Sequence, residues 1–177
     1  MNILTVSDGG LFTTIQDIGR YGFQKYGVPV SGPMDHFAFR AANLLVGNSE
    51  GKAGLEITIL GPKLKFNEAT TVAVTGADMG LLLDNKPQPR WSPIEVPPEN
   101  EISFSGLKNG ARAYLAIAGG LDVPKVMGSR STYTRSQIGG FNGRALIAGD
   151  KISIQTHNGN MPLNGRIMHK NQIPNYS

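Results

Sequence analysis

Acids, arginines and hydroxyls stand among glycines in three stretches of this chain, and their types suit the binding of an anion. Asp17 and Arg20 lie in Thr13-Thr14-Ile15-Gln16-Asp17-Ile18-Gly19-Arg20-Tyr21-Gly22, and Ser31, Gly32 and Asp35 follow in Val30-Ser31-Gly32-Pro33-Met34-Asp35. Glycine there lets a ligand come close to the backbone. The second stretch is Gly128-Ser129-Arg130-Ser131-Thr132-Tyr133-Thr134-Arg135, and the third is Ile138-Gly139-Gly140-Phe141-Asn142-Gly143-Arg144. A guanidinium fork grips carboxylate or phosphate through two parallel bonds. Hydroxyls and glycine N–H groups can complete an anion nest. The same residues also suit a glycine-rich connection before a capped helix and a solvated polar loop. Three such turns in one small domain favour a shared ligand site.

Other motifs carry less. Gly47-Asn48-Ser49-Glu50-Gly51-Lys52 has the look of a phosphate loop, but its glycines stand one residue too close, Ala53 replaces the metal-binding hydroxyl, and it follows a helix rather than a strand. It reads as a helix stop and turn. His36, His157 and His169 are too dispersed for a metal argument, and no metal site is expected. Asp78 suits an exposed turn, and Trp91 and Met127 suit core or barrel-mouth packing. There is no cysteine, which removes disulfides, thiolate metal sites and a cysteine nucleophile together.

The elements that must position these groups are mostly strands. The chain has 177 residues, 40% hydrophobic and only 17% charged, which suits one domain with a sizeable core. With 23 glycines and 11 prolines it is rich in turns, so short strands are expected. The net charge of +4 allows an acidic ligand; scattered basic residues and 7% aromatics give no nucleic-acid platform. The N-terminus has no signal-peptide pattern and no stretch reaches membrane-span length, so a soluble, cytoplasmic chain without membrane contact is expected.

Pro33 to Val46 carries Met34, Phe37, Ala38, Ala41, Ala42 and Leu45 at helical spacing, with Ser31 or Gly32 as cap, Asp35 favouring the helix dipole, and Gly47 as left-handed stop. Strands are expected at 1–6, 12–16, 55–59, 63–66, 71–74, 79–83, 102–105, 112–118, 145–147 and 151–155. Hairpins are expected at Asp84-Asn85, at Asn109-Gly110 and at Gly149-Asp150. Many short strands and one principal helix point to a mainly β, closed or nearly closed barrel.

Thr13-Thr14-Ile15-Gln16-Asp17-x-Gly19-Arg20-x-Gly22, Gly27-Val28-Pro29-x-Ser31-Gly32-x-Met34-Asp35 and Ala42-Asn43-x-Leu45-Val46-Gly47-Asn48 closely resemble the allophanate hydrolase subunit 2 family. So do Leu55-Glu56-x-Thr58, Gly61-Pro62, Val74-Thr75-Gly76-Ala77, Tyr114-Leu115-Ala116-x-Ala118-Gly119-Gly120 and Val126-Met127-Gly128-Ser129-x-Ser131-Thr132-Tyr133. The family is also described as the C subunit of ATP-dependent 5-oxoprolinase and as biotin-dependent carboxyltransferase; another relative antagonises an inhibitor of a sporulation kinase. The resemblance implies a cyclophilin-like β-barrel over 1–155, with 156–177 as a linker or tail leading to a second barrel. The chain then corresponds to the N-terminal part of a longer module, and is expected to lack catalysis by itself and to expose an apolar surface meant to be covered.

The resemblance implies three functions. In the first, the chain helps to open the lactam of 5-oxoproline to glutamate at the expense of ATP, with a kinase-inhibitor-type B subunit and an A subunit as partners; ATP is bound by the complex rather than clearly by this chain. Such a reaction needs cations for phosphate and substrate carboxylate and an acid–base group. Their chemistry makes Arg20, Ser31, Gly32, Ser129, Arg130, Tyr133 and Arg144 the candidates for binding, and Asp17 or Asp35 the candidate for acid–base chemistry. In the second, it transfers carboxyl from biotin to urea or a similar amide; the chain lacks a Met-Lys-Met attachment motif, so biotin would arrive on another domain. In the third, it is a non-catalytic module that binds a B-type subunit. The loops at 17–20, 31–35 and 128–135 are expected on one side of the barrel.

Overall fold

The computed structural model describes residues 2–156 and 166–176. Its strands are β1 (Ile3–Asp8), β2 (Phe12–Gln16), β3 (Gly54–Thr58), β4 (Lys63–Phe66), β5 (Thr70–Asp78), β6 (Leu81–Leu83), β7 (Lys86–Pro87), β8 (Pro93–Val96), β9 (Glu101–Phe104), β10 (Asn109–Ile117), β11 (Leu121–Asp122) and β12 (Lys151–Ile154); α1 (His36–Leu45) lies between β2 and β3. They form a seven-stranded sheet in the order β11-β12-β1-β4-β9-β6-β7 and a five-stranded sheet in the order β2-β3-β10-β5-β8. Each strand pairing is antiparallel. The fold is mainly β with one α-helix among the described residues, as the sequence indicates.

The period of two decides which residues enter which core. Val72 and Val74 of β5 and Ala113, Leu115 and Ile117 of β10 point between the sheets, where they meet Leu4, Val6, Leu64, Phe66, Ile102 and Ile152. The alternate residues Ala73, Tyr114 and Ala116 face outward and are covered by Ala38, Phe39, Ala42 and Leu45 of α1. Two of those sheet residues are alanines, so the helix can settle close to the strands. Thr75 on the same face donates its hydroxyl to Ala38 O at 2.7 Å.

Several boundaries differ from the sequence reading. The helix starts at His36, and Asp35, not Ser31 or Gly32, is its N-cap, accepting from Ala38 N–H at 3.0 Å. Met34 and Phe37 are exposed, while Phe39 takes the buried place. Gly47 does stop the helix, at φ +75°. Asp84 and Asn85 form the expected β6–β7 hairpin with φ of +47° and +63°. Asn109-Gly110 does not form one. β9 pairs with β4 and β6 while β10 pairs with β3 and β5, so the two strands lie in different sheets. Gly110 instead sits in a register shift at the start of β10 with φ +72°, where an added Cβ would stand 2.8 Å from the Ala77 methyl.

Residues 145–147 are not a strand: Leu146 N–H donates to Thr13 O at 2.8 Å, closing the free edge of β2, and Ile147 N–H donates to the Asp150 carboxylate. Sequence reasoning missed β8 and β11. Met1, His157 and the 157–165 part of the expected linker lie outside the described residues. Residues 166–176 run back over α1: Met168 N–H donates to Trp91 O, and Met168, Ile173 and Tyr176 pack against the helix core.

Candidate functional site

Asp17 follows β2 directly and is only 6% exposed. Its Oδ1 accepts from Ser129 Oγ (2.6 Å), Ser131 Oγ (2.7 Å) and Gly19 N–H (3.0 Å), and its Oδ2 from Arg130 N–H (2.6 Å). Burial alone would raise its pKa. The bonds from Ser129, the Arg130 N–H, Ser131 and Gly19 outweigh that and hold it below the ordinary value. Arg20 is fully buried and takes the opposite polarity of the same loop: Nε donates to Val126 O at 2.9 Å and Nη2 to Ser131 O at 2.8 Å. Its Nη1 is buried without a partner. Burial lowers the Arg20 pKa, and the Asp17 charge opposes the shift. Acid and base thus clamp the 126–131 segment, one gripping its donors and the other its carbonyls.

Gln16 ties that clamp to the turn before α1. Its amide nitrogen donates to Thr132 O (3.3 Å), and its Oε1 accepts from Gly32 N–H (3.1 Å). Arg20 N–H also donates to Val30 O at 2.6 Å. Ser31 is held at φ +59° and Gly32 at +88°, and the Ser31 hydroxyl is buried with no hydrogen-bond partner. A left-handed serine is uncommon, and such strain is typical of functional turns.

A polar row underlies this turn. Register places Thr14, Glu56, Tyr114 and Thr75 side by side across β2, β3, β10 and β5, and each is buried. Glu56 Oε2 accepts from Met34 N–H (2.7 Å) and from Tyr114 Oη (3.0 Å), while Tyr114 Oη accepts from Asp35 N–H (2.8 Å). Burial, with Glu56 close by, keeps Tyr114 protonated well above its usual range. Sequence reasoning missed Gln16, Glu56, Tyr114 and Thr75 as site residues. The one signal was a glutamate and a tyrosine inside otherwise apolar strands.

The loops at 17–20, 31–35 and 128–135 therefore meet, as expected. Asp35 is half-buried; beyond its cap bond, Oδ2 accepts from Tyr176 Oη at 2.8 Å. Arg130 sends Nε to Val123 O (2.8 Å) and lies 3.7 Å from Asp122. Tyr133 pairs with Ile138 through its backbone. Arg144 forms a fork on Asp150 (2.7 and 2.8 Å). That bond raises the arginine's pKa and lowers the acid's. Its neighbours belong to the 141–150 turn rather than to the Asp17 clamp.

Fold and site together define a mainly β module with a strained, anchored polar turn beside a clamped serine–arginine loop. Residues 26–177 match the carboxyltransferase domain, subdomain A and B, and the chain belongs to that family. It is 43% identical over 152 residues to the urea amidolyase of Saccharomyces cerevisiae, covering 85% of this chain and 8% of that protein. It is 40% identical over 154 residues to the C subunit of the Escherichia coli 5-oxoprolinase, covering 86% of this chain and 49% of that one. The structure superposes on the urea carboxylase of Kluyveromyces lactis with a TM-score of 0.91 at 38% identity, covering 99% of this chain and 16% of that chain. The chain thus spans about half of the bacterial relative and a small part of the fungal ones.

Proposed function

We propose that this chain serves as a carboxyltransferase-family component of an ATP-dependent 5-oxoprolinase, in the role of its C subunit, with A and B subunits as partners. The observation that carries the reading is the meeting of the Asp17–Arg20 clamp with the strained 31–35 turn, where a buried Ser31 hydroxyl has no partner. Asp35 supplies the acid–base carboxylate. Ser31, Gly32 and Tyr133 face the lactam and its carboxylate, and Asp17, Arg20 and Ser129 hold the neighbouring loop, whose Arg130 is tied to Val123 and Asp122. Arg144 braces the neighbouring turn. ATP belongs to the complex.

A second reading is favoured by the equal strength of the fungal likeness: carboxyl transfer to urea or a similar amide, with biotin carried on another domain. Both readings place a planar N–C=O group at this turn, so the chemistry asked of the residues is the same. The test is reconstitution of the full-length C-type protein containing this sequence with candidate A and B subunits. Glutamate release from 5-oxoproline that needs ATP and all three supports the first reading. Urea-dependent turnover of a biotin carboxylase in its place supports the second. Binding to B with no turnover of either substrate overturns both in favour of a binding module.

A further inference from the structure

Three neighbouring strands of the five-stranded sheet each send one side chain to a backbone N–H of the turn before α1. Gln16 of β2 takes Gly32 N–H, Glu56 of β3 takes Met34 N–H, and Tyr114 of β10 takes Asp35 N–H. No other arrangement in the chain spends buried polar side chains of a sheet on one short connection in this way among the described residues. Tyr114 and Glu56 are also joined to each other, and the Arg112 guanidinium stands 3.6 Å from the remaining Glu56 oxygen.

We propose that Glu56 and Tyr114 are positioning residues for this turn, setting where Ser31 Oγ and the Asp35 carboxylate stand. The inference rests on the reading of 31–35 as the substrate-facing turn, but its first readout does not. Burying a carboxylate and a phenol beneath a helix is costly unless both are bonded, and a plain helix start needs no more than its cap. Asp35 already has that cap bond through its own side chain. The extra anchors fix the segment ahead of the helix: Gln16 holds the left-handed Gly32, and Glu56 and Tyr114 hold Met34 and Asp35 just after it. Because the anchors come from three strands in fixed register, the turn inherits the rigidity of the sheet.

The test uses the chain itself, by amide hydrogen exchange read residue by residue with NMR. Tyr114→Phe keeps the ring against Phe39 and removes only the hydroxyl. The expected result is exchange at the Asp35 amide faster by about tenfold or more, as for a buried donor stripped of its acceptor. The Val74 and Ile57 amides of the sheet stay unchanged. Glu56→Met, which keeps the length of the side chain but has no oxygen to accept from Met34 N–H, should do the same at Met34, and it is the variant to read if Tyr114→Phe does not fold. Acceleration spread evenly over sheet and turn, or none at Asp35 and Met34, overturns the proposal. In the assembled enzyme the same variants should lower kcat at unchanged KM. Local acceleration with kcat unchanged upholds the positioning of the turn and removes Asp35 from the chemistry, so the two failures are distinguishable.

Discussion

Replacing Asp17 by asparagine tests whether the carboxylate is the pin that holds the 129–131 loop. Asparagine can still offer one carbonyl to Ser129, Ser131 and Gly19, but its NH2 group then faces the Arg130 N–H, which now sits 2.6 Å from Oδ2. That N–H becomes a buried donor without an acceptor, at a cost of about 1–3 kcal/mol. The retained bonds lose their charge assistance, and charged acceptors bind roughly twice as strongly as neutral ones. Arg20 also loses the anion whose field supports its buried charge. Together these come to about 3–5 kcal/mol. For a chain of this size that lowers Tm by roughly 10 °C. Urea denaturation followed by circular dichroism gives the number, and a double-mutant cycle with Ser131→Ala should show coupling between the two sites. A loss below about 1 kcal/mol, or simple additivity with Ser131→Ala, would refute the clamp.

Stability should also depend on acid. Asp17 and Asp150 both have folded pKa values below the unfolded value near 3.8, so their contribution is full above that value and is lost as pH falls through the folded one. The urea midpoint should stay level above about pH 5 and drop below about pH 4, and the drop should shrink in Asp17→Asn. Asp35→Ala removes the helix cap and should cost about 1 kcal/mol, measured by the same denaturation; no change would mean the cap bond adds nothing. Gly139→Ala brings a Cβ within 2.2 Å of Ser131 O and 2.7 Å of Arg20 Nη2, so it should destabilise by more than about 2 kcal/mol. A neutral result would show that the clamp yields. Leu11, Phe12, Ile59, Leu60 and Ile147 are all exposed, and light scattering should find self-association of the isolated chain; a clean monomer at high concentration would contradict that.

The local features were legible because local forces set them. The helical spacing of Ala38, Ala41, Ala42 and Leu45, the stop at Gly47 and the Asp84-Asn85 hairpin are decided by contacts and backbone sterics within a few residues. Most strand positions were legible for the same reason, since alternation is written in neighbouring residues. The family motifs also brought Asp17, Arg20, Ser31, Asp35 and Ser129 together as candidates. What each of them does was decided by the fold.

Only register across distant strands puts Glu56 beside Tyr114 and both beneath Met34 and Asp35. The separation of 112 residues between Asp17 and Ser129 hides their bond from any local pattern. The Asn109-Gly110 reading failed on the same ground. A dipeptide that tolerates positive φ permits a hairpin, but which strands pair is settled by the cores they bury, and those sent β9 and β10 to opposite sheets. The sequence by itself determined the turns, the helix and the residue types available for chemistry. Tertiary structure decided which charges are spent on holding loops and which remain at the turn, because burial and hydrogen-bond partners exist only once the sheets have closed around them.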